Sequence, residues 1–218
     1  MSKKKLPLDF DERKDYFVIP IEKDKQLKWE EVFSNTNPVH VEIGSGKGEF
    51  ISQKPLLVEG VNFLGIELKQ KRIVTILKKL RPTIHPHVRL AELKVDKEVE
   101  NILPAESIQT IYIQHPDPWP KRKHHRYRLI QHELIDVLYK LLIPGGTLEI
   151  STDHHDYAMW IHGIMVKHPE FVPFTEQGYS RVYPEGHITT YFEQVKCEKG
   201  ETPYFLFYTK EAKDEERA

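Results

Sequence analysis

From Val39 onward, short β-branched runs alternate with stretches whose apolar residues recur at helical spacing. "VHVEIG" reads as a strand stopped by the glycine-rich "GSGKGE", and "FISQKPLLVEG" as a helix broken at Pro55. "NFLGIEL" reads as a second strand. In "KQKRIVTILKKLRP", Ile73, Ile76, Leu77 and Leu80 fall at i, i+3, i+4 and i+7 and predict an amphipathic helix. "HVRLAEL" and "IQTIYIQ" supply third and fourth strands. "HRYRLIQHELIDVLYKLL" predicts one continuous amphipathic helix through Ile130, Leu134, Val137, Leu138 and Leu141, ended by Pro144-Gly145-Gly146. "TLEIST" reads as a fifth strand, with a helix from about Asp153 to Lys167. "FVPFTE" and "TPYFLFYTK" read as strands on either side of a polar loop. Such alternation implies an α/β fold, a parallel sheet covered on both faces. The expected division is an N-terminal arm over 1–37, with a short helix at "KWEEVFS", a domain over 38–210 and a charged tail over 211–218.

Composition narrows the class. The chain has 218 residues, enough for one large α/β domain; 39% hydrophobic and 30% charged is too apolar for a disordered chain. Net charge is −1, so any polyanion contact must come from a local patch and not from a global field. The single cysteine, Cys197, excludes an internal disulfide and fits a reducing compartment. "MSKKKLPLDF" has no apolar segment of a signal peptide, and no run approaches the roughly 18 apolar residues of a membrane span. The expectation is a cytoplasmic protein. Twelve histidines raise the question of a metal, but His85/His87 and His154/His155 have no carboxylate or cysteine at ligand spacing, and none is expected.

The glycine loop carries the first candidate chemistry. "VEIGSGKGE" lies between the first strand and a helix, where a doubly wound fold takes a nucleotide-like ligand. Its spacing, through Gly44, Gly46 and Gly48, is G-x-G-x-G and not the G-x-G-x-x-G that seats a pyrophosphate. Glu42, just before the loop, would repel a diphosphate and suit an ammonium or sulfonium. S-adenosyl-L-methionine carries both, with an adenosine whose ribose needs an acceptor. Glu67, ending the second strand, stands where the two ribose hydroxyls would be met. The plain alternative for Glu67 is a solvated charge facing Lys69 and Lys71. A nicotinamide oxidoreductase is disfavoured by Glu42 and by the glycine spacing.

The second is "HPDPWPKRKHHRYRL", residues 115–129. Three prolines exclude a helix or central strand and make a stiff loop that fixes Asp117. If the fourth strand lies beside the first, Asp117 reaches the crevice outside the strands' carboxyl ends; an acid merely closing a turn is the alternative. Lys121, Arg122, Lys123, Arg126 and Arg128, with His124 and His125, follow as a patch able to neutralise phosphates, or as a solvated face. Lys69, Lys71, Arg72, Lys78, Lys79 and Arg81 would extend it.

With these motifs in this order the chain resembles the bacterial tRNA (guanine-N7)-methyltransferases. The resemblance runs from about Trp29 to Tyr208 and rests on "VEIGSGKGEF", "FLGIEL", "PDPWPKRKHHRYRL", "STD" at 151–153 and "TYFEQ" at 190–194. The proline loop is specific to that family; the glycine loop is shared by many methyltransferases. The resemblance implies a Rossmann-like class I methyltransferase fold: a mostly parallel twisted sheet, helices on both faces and an antiparallel C-terminal strand. It implies S-adenosyl-L-methionine as cofactor, tRNA as partner, methyl transfer to N7 of a variable-loop guanine, and a monomer or homodimer. Carried onto this chain, Glu42, Gly44, Gly46, Glu67 and Asp117 line the cofactor, and Asp117 also stands at the catalytic centre near the guanine. Lys121, Asp153, Thr190, Tyr191, Phe192 and Glu193 contact the substrate nucleotide. Two positions depart from the family. Lys94 stands where Asp or Asn usually meets the adenine, so either Glu92, Asp96 or backbone atoms take over or cofactor affinity is lower. His115 stands where Phe is common, and adds a ring that titrates near neutrality.

Guanine N7 carries a lone pair and no proton, so its methylation needs no general base. The carboxylates then have another use. As positive charge moves onto the purine, an acid on its N1–H and N2 amino edge binds it more strongly. Asp117 and Asp153 are candidates, with Glu193 a third; Asp153 is equally placed to cap the following helix. Tyr191, Phe192 or Trp119 could stack on the base, or simply belong to the core. The competing readings are a methyltransferase for another nucleobase or a small amine, and a non-catalytic RNA-binding module.

Overall fold

The computed structural model describes residues 10–197 and 200–212. The basic start, residues 213–218 of the charged tail, and the side chains of Phe192 and Cys197 lie outside the described residues. Seven strands form one sheet: β1 (Val39–Ile43), β2 (Asn62–Glu67), β3 (Val88–Glu92), β4 (Ile108–Gln114), β5 (Leu142–Thr152), β6 (Phe171–Pro173) and β7 (Tyr204–Lys210). Their order is β3-β2-β1-β4-β5-β7-β6. β1 to β5 run parallel, and β7 enters antiparallel between β5 and β6. This is the doubly wound sheet with an antiparallel C-terminal strand that the family resemblance implies, and it puts the switch point between β1 and β4.

Both faces are covered, so β1 and β2 are buried at every position. On one face α1 (Phe10–Phe17), α3 (Glu49–Gln53) and α4 (Gln70–Leu77) pack Phe17, Ile51 and Ile76 against Phe63, Val88 and Leu90. On the other, α5 (His132–Leu141) and α6 (His155–Met165) pack Leu138, Tyr157 and Ile161 against Ile111, Leu148 and Ile150, with Phe33 of α2 (Trp29–Phe33). Each of these aliphatic side chains contributes roughly 1.5–3 kcal/mol by leaving water. No helix among the described residues is long and apolar enough to cross a membrane.

Five features differ from the expected pattern. The described part of the arm is packed: Phe10 and Phe17 are buried, Val18 bridges Leu90 in parallel and Ile19 N donates to Leu90 O at 2.9 Å. α5 begins only at His132; before it come a 3-10 turn over Arg122–Tyr127 and an extended stretch. The reason is tertiary: Ile130 N donates to Tyr157 Oη (3.1 Å) and Ile130 O accepts from Trp160 Nε1 (2.9 Å), so α6 takes the groups a longer helix would use. β5 begins at Leu142 and bulges, its register jumping from Ile108↔Leu142 to Thr110↔Thr147. Gly146 is required there, since a Cβ would meet Ile143 O at 2.9 Å and Gln109 O at 3.0 Å. The polar loop before β7 holds a helix, α7 (Tyr191–Cys197). Finally, α6 has His154 and not Asp153 at its N-cap, with no side-chain cap bond, so Asp153 is not the helix cap.

Candidate active site

A cleft of about 700 Å³ opens at the carboxyl ends of β1, β2, β4 and β5. Glu42, Gly44, Gly46 and Glu67 line it from the β1–β2 side. Asp117, Asp153 and Thr190 line it from the β4–β5 side. Lys121, Tyr191 and Glu193 do not.

The glycine loop is pinned to β2. Gly44 N and Ser45 N both donate to Ile66 O (2.8 and 3.0 Å), and Gly46 N donates to Glu67 Oε2 (3.0 Å). Gly46 has φ +56°, a left-handed conformation open to glycine at little strain. At Gly48 a Cβ would come within 2.8 Å of Ile76, so glycine there lets α3 and α4 approach. Glu67 also accepts from Lys69 N (2.9 Å) and faces Arg72 Nη1 at 3.4 Å. It is buried, which overturns the solvated-charge alternative.

Glu42 differs from every other acid of the cleft. It is 2% exposed, and its Oε2 has no hydrogen-bond partner. Burial, with the Glu49 and Glu67 carboxylates nearby, pushes its pKa up to about 8. A buried carboxylate oxygen without a partner, facing a cleft, fits a cationic group such as the ammonium of S-adenosyl-L-methionine.

Across the cleft, the proline loop is held at both ends. His115 N donates to Ser151 O (3.0 Å), and Arg128 Nε donates to Pro118 O (2.9 Å). His115 (φ +48°) and Trp119 (φ +41°) flank Asp117 in the left-handed region, strain that the surrounding contacts must hold. Asp117 itself is exposed to the cleft. Arg128 is the correction to the basic patch: it is 3% exposed, its guanidinium 5.0 Å from the Tyr157 ring and 4.9 Å from that of Trp160. Enclosed by these rings, it clamps the loop and is unavailable to a phosphate. Lys121, Arg122, Lys123 and Arg126 remain exposed, beside the Trp119, His124 and Tyr127 rings, whose centroids lie 5.3–5.9 Å apart. Of the second row of cations, Arg72 and Lys79 are already engaged by Glu67 and Glu49.

Asp153 meets Lys196 Nζ at 3.0 Å and His115 Nδ1 at 3.6 Å. The His115 imidazole above all, then Lys196, holds the Asp153 carboxyl far below its usual range despite partial burial. Glu193 is fully buried, with both oxygens on His187 Nε2 (2.7 and 2.9 Å) and Oε2 3.4 Å from His115 Nε2. Its burial works upward, but His115 and His187 outweigh that and bring its pKa down to about 2. A side chain so enclosed does not reach a nucleotide in this conformation, contrary to the expected contact. Thr190 Oγ1 accepts from Glu193 N (3.3 Å), and Lys47 Nζ lies 3.1 Å from the centroid of the exposed Tyr191 ring. Lys94 turns to Asp96 (2.7 Å); Leu93, Lys94 and Val95 line the cleft, while Glu92 and Asp96 do not. That leaves backbone atoms as the available partners for an adenine. The sequence reading missed His187, Lys196 and the clamp by Arg128. Only the six-residue step from His187 to Glu193 is local enough to have been noticed.

The family described as "Putative methyltransferase" matches residues 36–206. The tRNA (guanine-N(7)-)-methyltransferase of Listeria welshimeri is 31% identical over 215 residues, covering 98% of both chains. That of Geobacter metallireducens is 32% identical over 206 residues, covering 90% of this chain and 93% of the relative. Among solved structures, the 16S rRNA methyltransferase KamB superposes with a TM-score of 0.62 at 12% identity, covering 88% of this chain and 100% of that one, a likeness of fold. The geometry of the cleft and these similarities agree: the chain belongs to the tRNA (guanine-N(7)-)-methyltransferase family.

Proposed function

We propose that this protein transfers the methyl group of S-adenosyl-L-methionine to N7 of a guanine in tRNA, and that Asp117 acts at the centre of the reaction. One observation carries the reading. Glu42, buried with an unpartnered oxygen, and Asp117, presented by a clamped loop, line the same cleft from opposite sides of the switch point. When bound, the donor supplies an electrophilic methyl on a sulfonium. Glu42 takes its ammonium. A carboxylate has about four acceptor positions; Glu67 gives two to backbone N–H groups and a third, at 3.4 Å, to Arg72 Nη1, so one is open to a ribose hydroxyl and the second opens when the half-exposed Arg72 side chain turns aside.

The acceptor side supplies alignment and charge. N7 attacks without losing a proton, and most of the barrier lies in bringing two bulky partners into line. Asp117 and Asp153 meet the guanine N1–H and N2 amino edge, which gains positive character as the methyl transfers. Adenine presents neither group, so Asp117 would gain no partner from it and Asp153 would keep only Lys196 and His115. His115 and Lys196 keep Asp153 ionised at neutral pH. Lys121, Arg122, Lys123 and Arg126 meet phosphates, and Trp119 and Tyr127, at the cleft edge, offer stacking faces for an unstacked base. A tRNA substrate fits a cytoplasmic protein.

The test is methylation of unmodified tRNA followed by nucleoside analysis for 7-methylguanosine, with Asp117→Ala beside wild type. The variant is expected to lose at least about two orders of magnitude in rate, the scale of a lost electrostatic stabiliser, and to keep donor affinity. Near-normal turnover would remove Asp117 from the centre.

A further inference from the structure

Three segments that border the cleft converge on one ring. His115 leads into the Asp117 loop, Asp153 follows β5, and Glu193 belongs to α7, 78 residues further along the chain than His115. The His115 side chain is 4% exposed and lies between the two acids, Nε2 3.4 Å from Glu193 and Nδ1 3.6 Å from Asp153. Nδ1 has no hydrogen-bond partner, so a small shift of Asp153 toward the ring completes the contact. Glu193 cannot reach the cleft, whereas Asp153 lines it.

We propose that His115, backed by the buried Glu193 carboxylate, is a positioning residue that fixes Asp153 for the guanine edge, and that Glu193 acts through this series and not by touching the nucleotide. The proposal rests on the tRNA reading of the cleft. Physically, an imidazolium between two carboxylates draws them together, and a neutral ring there lets them repel. Every charged group facing the ring takes part. Asp153 comes from the end of β5, Glu193 and Lys196 from α7, and His187 from the loop before α7. His187 already occupies both oxygens of Glu193, and Lys196, shared with Glu201, one oxygen of Asp153, so His115 joins two acids that each have a further partner.

The pH sense follows. Burial pulls the His115 pKa down, but Asp153 and Glu193 outweigh it, and the net direction is up from 6.5. The link is complete below the ordinary histidine range and weakens as pH rises through the elevated value.

The experiment compares wild type with His115→Phe, Glu193→Gln, Asp153→Asn and the double variant Glu193→Gln/Asp153→Asn. It reads kcat and KM for unmodified tRNA from pH 6 to 9. His115→Phe keeps an aromatic ring of similar size, and donor binding reports that the fold is intact. The expected result in His115→Phe near neutrality is a fall in kcat/KM of about tenfold, the scale of one charge-assisted hydrogen bond, shared between a higher KM and a lower kcat. The alkaline fall of the wild-type kcat/KM should vanish in that variant. Glu193→Gln should add nothing in the Asp153→Asn background. Wild-type kcat/KM at every pH in His115→Phe, or additive losses in the double variant, would overturn the proposal. NMR titration of the His115 ring gives a readout independent of turnover: its pKa should stand above 6.5 and fall in Glu193→Gln. If wild type makes no 7-methylguanosine while the ring titrates this way, the tRNA reading fails and the pairing stands; an unchanged pKa sinks the pairing itself.

Discussion

The two sides of the cleft treat buried carboxylates in opposite ways. On the β1–β2 side Glu42 has neighbours of its own sign and an oxygen with no partner, and its pKa is pushed up to about 8. On the β4–β5 side Asp153 and Glu193 have Lys196, His115 and His187 against them, and both are held down. Burial opposes ionisation in all three; the partner decides the sign. In the proposed reaction the first side receives its cation from the donor, while the second carries its own. Donor binding and acceptor binding should therefore answer to pH through different groups.

The largest effect that would break this contrast lies at Glu42. Below about pH 8 the free protein holds Glu42 protonated, and an ammonium selects the ionised form, so binding releases a proton. Donor affinity should rise by up to tenfold per pH unit toward pH 8 and then level off, one unit of pKa corresponding to about 1.4 kcal/mol. Titration calorimetry in buffers of different ionisation enthalpy measures the proton release, and Glu42→Gln, tested beside wild type, isolates it from protons the donor itself gives up. The variant should lose this slope and bind weakest relative to wild type near pH 8. The same linkage acts on stability. A carboxyl whose folded pKa is raised binds more protons folded than unfolded between 4.5 and about 8, so the donor-free protein loses stability as pH rises through that window. If donor binding is independent of pH and exchanges no proton, Glu42 is not the counter-ion.

The same contrast governs what was legible in the sequence. The β1–β2 side is local: Glu42, the glycine loop and Glu67 are set by strand ends and a turn that recur at fixed spacing, and each lines the cleft. The expected neighbourhood of the first and fourth strands is found, whereas the antiparallel β7 comes from the family resemblance and not from the alternation. On the β4–β5 side only the proline loop is local. The Glu193–His115 contact spans 78 residues, so no window of sequence holds it, and the Tyr191–Glu193 segment, which reads as loop, belongs to a helix. The apolar period at Ile130 is genuine, but it reports burial and not helix, because α6 claims that residue's backbone. Arg128 was read with its charged neighbours; charge pattern does not reveal which member of a basic run turns inward.

Arg128 sharpens the comparison at an intermediate size. Arg128→Met removes the donor to Pro118 O and a guanidinium held beside two rings. Stability should fall by about 1–3 kcal/mol and kcat by about tenfold as the Asp117 loop loosens. The salt dependence of tRNA binding should be unchanged, since the side chain is buried. Arg122→Ala should do the reverse, preserving stability while lowering the slope of log affinity against log salt by about one. A change in salt slope for Arg128→Met would return it to the phosphate patch.

The smallest effect belongs to Lys94, where the donor side carries a charge that does not suit it. An ammonium has no acceptor for an adenine amino group and adds positive charge beside the cleft proposed to take a cationic donor. The structure turns it aside, Nζ 2.7 Å from Asp96, with 70% of its side chain in solvent. Surface pairs of this kind contribute little to stability, so Lys94→Asn should leave the melting temperature in place. Asp96 also keeps its backbone bond from Glu98 N (3.0 Å) when the lysine is gone. The asparagine supplies an amide oxygen at the lip of the cleft, and donor affinity should improve by about two- to fivefold, the range of one neutral hydrogen bond. Calorimetry with the donor checks it, with tRNA binding as the control that should not move. An unchanged donor affinity would mean that the Leu93–Val95 backbone already satisfies the adenine, and that the side chain at this position is free to vary.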